Sequence, residues 1–380
     1  MKRLSSLLLS LTLLYSSFVV GADLVPTPPP LAARAYIMQD FYSGKVLMEK
    51  NADETVEPAS LTKLMTAYLV FHKLRTGEIK LTDQVKISER AQHKSEYTSR
   101  MYLEAGTEVS VELLLKGMII QSGNDASIAL AEFIGGTEEG FVTLMNEYAQ
   151  RLDLKNTHYM NSTGLPEEGH YSSARDIVRI AYVLISHFPE YYRLYKVREM
   201  TYNNITQENR NPLLRRDPTV DGIKTGHTNG AGYCLAASAK RGEMRLISII
   251  MGAKNEKARA LTSEKMLDYG FRFFDTHPLF KAREPIDIER IWYGKTAQLQ
   301  LGLEKSLYVT IPQNQYEQLS ATLSVDKYIT APIVAGHIYG RLKIRLGNQV
   351  ISERPIIALS SIEKGFLWKR FIDSVLLFFY

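Results

Sequence analysis

The sequence has one cysteine, no long run of lysine or arginine, and no tandem repeat or low-complexity tract. Cys234 cannot form an intramolecular disulfide, which argues neither for nor against export from the cytoplasm. It lies in an apolar stretch, so we interpret it as a buried strand residue rather than a reactive thiol. The net charge of +5 is spread along the chain without a basic stripe, which argues against a nucleic acid as partner.

A metal or cofactor is not expected either. None of the eight histidines falls in a clear metal-ligand motif. The length of 380 residues exceeds that of one typical single-core domain, so it favours two domains with appendages. With 45% hydrophobic and 23% charged residues, the composition is that of an ordinary globular protein.

The amino terminus has the pattern of a secretory signal. Lys2 and Arg3 precede an apolar stretch from Leu7 to Val20, and small residues follow where a signal peptidase would cut. We predict a signal peptide over residues 1–22. The alternative is a retained membrane anchor, but the stretch is short and interrupted by serine and threonine.

The carboxyl terminus, residues 363–380, predicts an amphipathic helix. One face carries Leu367, Trp368, Phe371, Ile372, Val375 and Phe379, and the other carries Lys369, Arg370, Asp373 and Ser374. The segment is too short to span a bilayer, but such a helix can lie in the interface between lipid and water. The alternative is a terminal helix docked on the protein body.

Between the ends, the pattern predicts an α+β domain over residues 30–279 and an all-β domain over residues 280–360. The first contains a hairpin over residues 35–49, helices after Ser60 and over 111–120 and 126–134, and a second hairpin over 233–251 beside a strand at 220–224. Beyond about Pro278 the apolar runs become short and alternating, without helical periodicity.

Ser60 and Lys63 form the first candidate for chemistry. Three residues apart on a helix, they share one face, so the amine can take a proton from the hydroxyl if burial or a nearby cation lowers its pKa. The same Ser-x-x-Lys spacing recurs at Ser324 and Ser361, but those positions lie in the predicted β domain and beside the tail. The helix start at Ser60 favours the first position, because free backbone N–H groups there can stabilise an oxyanion.

Two further motifs follow in the chain. Ser122-Gly-Asn124 lies in a predicted loop between two helices, where it could equally be an ordinary helix cap. Lys224-Thr-Gly226 follows a predicted strand edge, where the glycine leaves room for a ligand backbone and the lysine could face an anion or only solvent. Together and in this order, the three motifs are the signature of β-lactamases and penicillin-binding proteins.

The surrounding residues resemble one branch of that group, the low-molecular-mass D-alanyl-D-alanine carboxypeptidases of the penicillin-binding protein 5 and 6 type, peptidase family S11. The resemblance rests on the stretches Pro58–Thr66, Gln121–Ala126, Tyr171–Asp176, Asp221–Thr228 and Gly252–Lys254. It implies a DD-peptidase-like antiparallel sheet with helices, a small all-β domain and an amphipathic tail.

The resemblance also implies a mechanism on the terminal D-alanyl-D-alanine of peptidoglycan pentapeptides. Ser60 would be acylated, Lys63 would be the base and Ser122 would relay a proton to the leaving amine. Asn124 would hold the substrate amide and orient Lys63, and the backbone N–H groups of Ser60 and His227 would form the oxyanion hole. The substrate-binding set is completed by Lys224, Thr225, Gly226 and Arg259, which match positions for the terminal carboxylate.

The same resemblance implies β-lactams as inhibitors and a peripheral position on the periplasmic face of the inner membrane. Two alternatives share the motifs: a DD-endopeptidase that cuts cross-links, and a scaffold whose β domain docks cell-wall enzymes. A β-lactamase is disfavoured because Glu167 and Glu168 lack the usual setting of a deacylating glutamate.

Overall fold

The structure is a computed structural model that describes residues 25–92 and 98–379, so the predicted signal peptide lies outside it. The strands are β1 (Ala35–Asp40), β2 (Val46–Lys50), β3 (Gln84–Lys86), β4 (Glu108–Ser110), β5 (Glu199–Tyr202), β6 (Ile205–Glu208), β7 (Val220–Thr228), β8 (Gly232–Arg241), β9 (Met244–Ala253), β10 (Phe274–Phe280), β11 (Pro285–Trp292), β12 (Gln298–Gly302), β13 (Leu307–Pro312), β14 (Leu319–Val325), β15 (Ile329–Thr330), β16 (Ile338–Leu346) and β17 (Gln349–Ala358).

The α-helices are α1 (Lys63–Thr76), α2 (Glu89–Gln92), α3 (Val111–Lys116), α4 (Asn124–Gly135), α5 (Glu138–Arg151), α6 (Ala174–His187), α7 (Pro189–Tyr192), α8 (Leu213–Arg216), α9 (Glu256–Phe273) and α10 (Leu367–Phe378). Short 3₁₀ turns cover Ala59–Thr62, Arg193–Lys196 and Tyr316–Gln318. Helix α3 was predicted to run to residue 120, but it passes into a π-helical turn at Gly117–Gln121. Within the described residues, no helix is both long and apolar enough to cross a bilayer.

An antiparallel sheet of five strands, in the order β2-β1-β9-β8-β7, organises the first domain. Both predicted hairpins are present in it, and β7 lies at one edge. Alternating side chains of β1 and β9 point to opposite faces, as strand geometry requires. Ile37 and Ile249 pack into the core shared with α1, α3, α4 and α6, whereas Met38 and Ile250 pack into a second core under α9.

The second domain is all-β, and the α+β class with a following β domain is confirmed. Its main sheet has six strands in the order β14-β16-β17-β12-β11-β15, with one parallel pair between β11 and β15. Strand β10 pairs with β13, so this pairing joins β10 to the second domain. The predicted boundary at 279/280 lies within β10, close to its end.

The two domains meet at the turn of the first hairpin. The buried Asp40 carboxylate accepts hydrogen bonds from Ser43 Oγ and from Thr276 Oγ1, both at 2.8 Å, and Lys45 Nζ donates to the Thr310 carbonyl at 3.0 Å. Nearby, the Tyr42 and Tyr308 rings stack with centroids 5.0 Å apart. Directional contacts therefore fix the orientation of one domain against the other.

Helix α10 contacts the second domain through its polar face. The buried Asp373 carboxylate accepts a hydrogen bond from the Tyr293 N–H at 2.7 Å, and Lys369 Nζ donates to the Gly294 carbonyl at 2.6 Å. The opposite face is bare: Trp368 is 73% exposed and Phe371 62%. A terminal helix docked on a protein normally buries its apolar stripe, so this arrangement is the reverse of the usual one.

Candidate active site

Ser60 lies in a tight turn that precedes helix α1. The 3₁₀ turn begins at Ala59, whose φ of 48° is in the left-handed region, and α1 begins at Lys63. Gly164 packs against this turn so closely that a Cβ added to it would lie 1.8 Å from the Ala59 carbonyl oxygen. A strained backbone held by its surroundings is typical of functional positions, and here it sets the direction of the serine.

The Lys63 amine is held on three sides. Its Nζ lies 3.1 Å from Ser60 Oγ, and it donates to Asn124 Oδ1 and to the Thr163 carbonyl oxygen, each at 2.7 Å. A neutral amine has two N–H donors and one lone pair. Because the two acceptors take the donors, the lone pair is left for the Ser60 hydroxyl.

Burial lowers the pKa of Lys63 to about 7, because a charged ammonium loses its hydration inside the protein. Arg210 lowers it further, whereas Asp125 and Glu138 act in the opposite direction. In the structure Lys224 has its own pKa lowered well below the usual range, by burial first and then by Lys63, Arg210 and Arg259.

Ser122 and Asn124 project from the turn between the π-helical segment and α4. Ser122 has a φ of 66°, which turns the chain sharply at the end of the π-helical segment. Its hydroxyl is buried and has no hydrogen-bond partner among the described residues. An unpartnered buried hydroxyl that lines a cleft is free to bond to a ligand.

Strand β7 brings the third motif against the nucleophile turn. Its outer edge has no strand partner in the five-stranded sheet, and a Cβ added to Gly226 would lie 3.2 Å from the Ser60 nitrogen. Glycine therefore permits the close approach of the strand to Ser60. An open strand edge beside a serine can pair with an extended peptide.

Arg259 reaches the same place from helix α9. Its side chain is 4% exposed, Nη1 donates to the Gly226 carbonyl at 3.3 Å, and the guanidinium lies 5.6 Å from the centre of the Tyr233 ring. Lys224 is also buried, and its Nζ donates to the Thr225 carbonyl at 3.0 Å. Two basic side chains are thus held near one end of the cleft.

A cleft of about 230 Å³ joins these parts. Of the nine predicted residues, seven line it: Ser60, Ser122, Asn124, Thr225, Gly226, His227 and Arg259. Lys63 and Lys224 lie behind its wall, within contact of residues that line it. The other Ser-x-x-Lys sites are elsewhere, with Ser324 in β14 and Ser361 just before the tail. Glu167 and Glu168 are exposed and do not line the cleft.

Comparison with known proteins shows the family to which the chain belongs. The family model described as D-alanyl-D-alanine carboxypeptidase matches residues 23–255, and the one described as penicillin-binding protein 5, C-terminal domain, matches residues 274–364. The chain belongs to the D-alanyl-D-alanine carboxypeptidase family. The predicted resemblance is therefore confirmed.

Relatives in this carboxypeptidase family match nearly the whole chain. D-alanyl-D-alanine carboxypeptidase DacC of Escherichia coli strain K12 is 42% identical, over 97% of this chain and 93% of that protein. The crystal structure of penicillin-binding protein 5 from Haemophilus influenzae is 39% identical, with a TM-score of 0.86, over 89% of this chain and 100% of that one. Penicillin-binding protein D2 from Listeria monocytogenes, solved with bound cefotaxime, is 30% identical and covers 65% of this chain, with a TM-score of 0.60.

Three contributors to this carboxypeptidase-type cleft were missed by the sequence motifs. Arg210 lines the cleft from the segment after β6, the Thr163 carbonyl holds Lys63, and Gly164 supports the Ala59 turn. A backbone carbonyl carries no side-chain signal, and Arg210 belongs to no short motif. One signal was available for Thr163 and Gly164: the stretch Asn161–Leu165 combines asparagine, serine, threonine and glycine, a composition that is typical of a turn.

Proposed function

We propose that this protein is a serine-type D-alanyl-D-alanine carboxypeptidase that removes the terminal D-alanine from peptidoglycan pentapeptides through an acyl-enzyme on Ser60. One observation supports it above the others: the buried Lys63 Nζ lies 3.1 Å from Ser60 Oγ and 2.7 Å from two other acceptors, Asn124 Oδ1 and the Thr163 carbonyl oxygen. A neutral amine that donates to these two acceptors has its lone pair available for the Ser60 proton. β-Lactams would acylate the same serine and inhibit the enzyme. The family membership and the names of the relatives agree with this activity.

In the proposed reaction, Lys63 takes the proton as Ser60 Oγ attacks the carbonyl between the two D-alanines. The negative oxygen of the tetrahedral intermediate is stabilised by the backbone N–H groups of Ser60 and His227. Ser122 passes a proton to the leaving amine, D-alanine departs, and water then hydrolyses the ester. Asn124 binds the substrate amide and keeps Lys63 in place.

The terminal carboxylate of the peptide would bind at the cationic end of the cleft, near Lys224, Thr225 and Arg259. A carboxylate accepts strong charge-assisted hydrogen bonds there, and it also restores the charge balance among cations that burial disfavours. The family match, rather than this carboxylate site, favours the carboxypeptidase over the endopeptidase.

The proposal is tested by D-alanine release from diacetyl-L-lysyl-D-alanyl-D-alanine, with and without penicillin pretreatment. We expect release that penicillin blocks, and a penicilloyl adduct on the peptide containing Ser60. Ser60→Ala should lose at least about a thousandfold in rate, because no acyl-enzyme can form. Ser324→Ala, which alters a second Ser-x-x-Lys site, is the matched control and should keep full activity.

Other outcomes would contradict the proposal. An adduct on Ser60 without D-alanine release would favour the endopeptidase, or a penicillin-binding scaffold whose β domain recruits cell-wall enzymes. Rapid penicillin turnover without D-alanine release would favour a β-lactamase.

The proposed location is the periplasmic face of the inner membrane, reached through the signal peptide at residues 1–22 and held by the tail at residues 363–380. Helix α10 supports the second part. Its polar face is occupied by contacts with Tyr293 and Gly294, and its bare aromatic face adjoins basic residues such as Arg370. A surface that is apolar and flanked by cations suits anionic lipid.

We expect replacement of both Trp368 and Phe371 by serine to weaken vesicle binding by about tenfold or more, since two large side chains no longer enter the lipid. The measurement is co-sedimentation with vesicles of phosphatidylethanolamine and phosphatidylglycerol. Tyr316→Ser removes an exposed aromatic ring outside the tail and should not change binding. Equal sedimentation of the double variant and the unaltered protein would end the membrane proposal for the tail.

A further inference from the structure

Glu256 stands at the rim of the cleft, beside the residue proposed to bind the substrate carboxylate. It is the first residue of α9, and its Oε1 lies 3.1 Å from Arg259 Nη2. The two side chains differ sharply in exposure, since Glu256 is 72% exposed and Arg259 4%. An exposed acid at the surface therefore meets a buried guanidinium at the cleft.

Arg259 has five N–H donors, and its contacts engage one donor on each of the two terminal nitrogen atoms. Its Nη1 faces the Gly226 carbonyl and its Nε is buried without a partner among the described residues. Glu256 accepts a hydrogen bond from Nη2, the terminal nitrogen that Gly226 does not engage. A carboxylate binds a guanidinium best through two parallel hydrogen bonds, so an incoming carboxylate competes with Glu256 for this edge.

The charge around Glu256 points the same way. Arg210 lines the cleft together with Arg259, and Glu256 raises the pKa of Arg210 against the effect of burial. Glu256 thus contributes negative charge beside two guanidinium groups in a cleft whose proposed ligand is an anion. Such a charge weakens the binding of an anion to both.

A simpler explanation makes Glu256 a stabiliser of its own helix. An acid in the first turn interacts favourably with the helix dipole and can pair with a cation three residues later. However, Asn255 already caps α9 by accepting a hydrogen bond from the Ala258 N–H at 2.8 Å. If Glu256 only stabilises the helix, replacing it should lower the stability of the protein and leave its affinity for the substrate unchanged.

We propose that Glu256 is a specificity-determining residue whose carboxylate occupies Arg259 in the empty cleft and is displaced by the terminal carboxylate of the substrate. It lowers affinity for D-alanine-terminated peptides and promotes release of the anionic product. The inference rests on the proposed carboxypeptidase function.

The test compares Glu256→Gln with the unaltered protein for D-alanine release from diacetyl-L-lysyl-D-alanyl-D-alanine. We expect KM to fall by about two- to fivefold, the range of an exposed ion pair, while kcat does not rise. The inhibition constant of free D-alanine should fall by a similar factor. Glu264→Gln is the matched control, because Glu264 is on the same helix and pairs with Arg216 at 3.1 Å, and it should leave KM unchanged.

Three results would contradict the proposed role of Glu256 or the proposed function of the protein. An unchanged KM with a lower melting temperature for Glu256→Gln would reduce Glu256 to a helix stabiliser. A higher KM would show that Glu256 orients Arg259 for the substrate instead of competing with it. Absence of D-alanine release from the unaltered protein would refute the proposed function itself. A KM for Glu256→Gln that contradicts the expectation, with normal release by the unaltered protein, would refute only the role of Glu256.

Discussion

Lys63→Arg is expected to reduce acylation of Ser60 by penicillin by about a thousandfold or more, the upper range for loss of a general base. An arginine remains protonated at any accessible pH, so it has no lone pair to accept the serine proton. The measurement is the second-order rate of penicilloyl adduct formation, followed by mass spectrometry. Lys73→Arg, on the same helix but paired with Glu78 at the surface, should acylate at the normal rate.

The unaltered protein should show the same chemistry in its pH dependence. The amine acts as a base only when neutral, and its pKa is lowered to about 7, so acylation should fall about tenfold per unit below that value and level off above it. A rate that stays flat between pH 5 and 9 would contradict the assignment of Lys63 as the base. Rescue of Lys63→Arg at high pH would contradict it too.

Gly164→Ala is expected to lower the free energy of unfolding by roughly 3 to 4 kcal/mol, because overpacking adds to backbone strain. Gly164 has a φ of 83°, and the added Cβ would lie 1.8 Å from the Ala59 carbonyl oxygen and 2.8 Å from Thr62 Oγ1. Neither the turn nor Gly164 can relax without displacing Ser60. Acylation by penicillin should therefore fall together with the urea midpoint.

Gly106→Ala separates the two contributions. Gly106 has the same φ of 83°, but an added Cβ meets nothing within 4 Å. Gly106→Ala should lower the free energy of unfolding by only about 1 kcal/mol, because alanine is strained in the left-handed conformation, and acylation should stay normal. Equal effects of the two substitutions would show that the contact with Ala59 is not important.

The motif residues could be predicted because their chemistry is carried by side chains at short, fixed separations. Ser60 and Lys63 are one turn apart, and the order of the three motifs implied that Asn124 and Gly226 would meet them. The sequence could not show which backbone groups, from residues far along the chain from the motifs, contact the site. The Thr163 carbonyl and the left-handed turn at Ala59 are backbone features, and the turn signal at Asn161–Leu165 does not show which residues that turn contacts.

Periodicity also had limits in the fold. The run from residue 111 to 120 is mostly apolar, and its few other residues, Glu112, Lys116 and Gly117, do not distinguish an α-helical period from a π-helical one. Periodicity therefore could not reveal the π-helical turn that ends at Gln121. The direction in which α10 faces was unpredictable for a different reason. Amphipathicity identifies two faces, but which one meets the β domain depends on partners such as the Tyr293 N–H, which belong to the backbone of another segment.

The hydrogen bonds of the buried Asp40 affect how far from the membrane the active-site cleft can act. Because its carboxylate binds both its own turn and Thr276, the junction between the domains resists bending. If α10 lies on the membrane as proposed, the β domain would act as a spacer of constant length and would hold the cleft at one height above the lipid. Only stem peptides in the layer of cell wall at that height would come within its range.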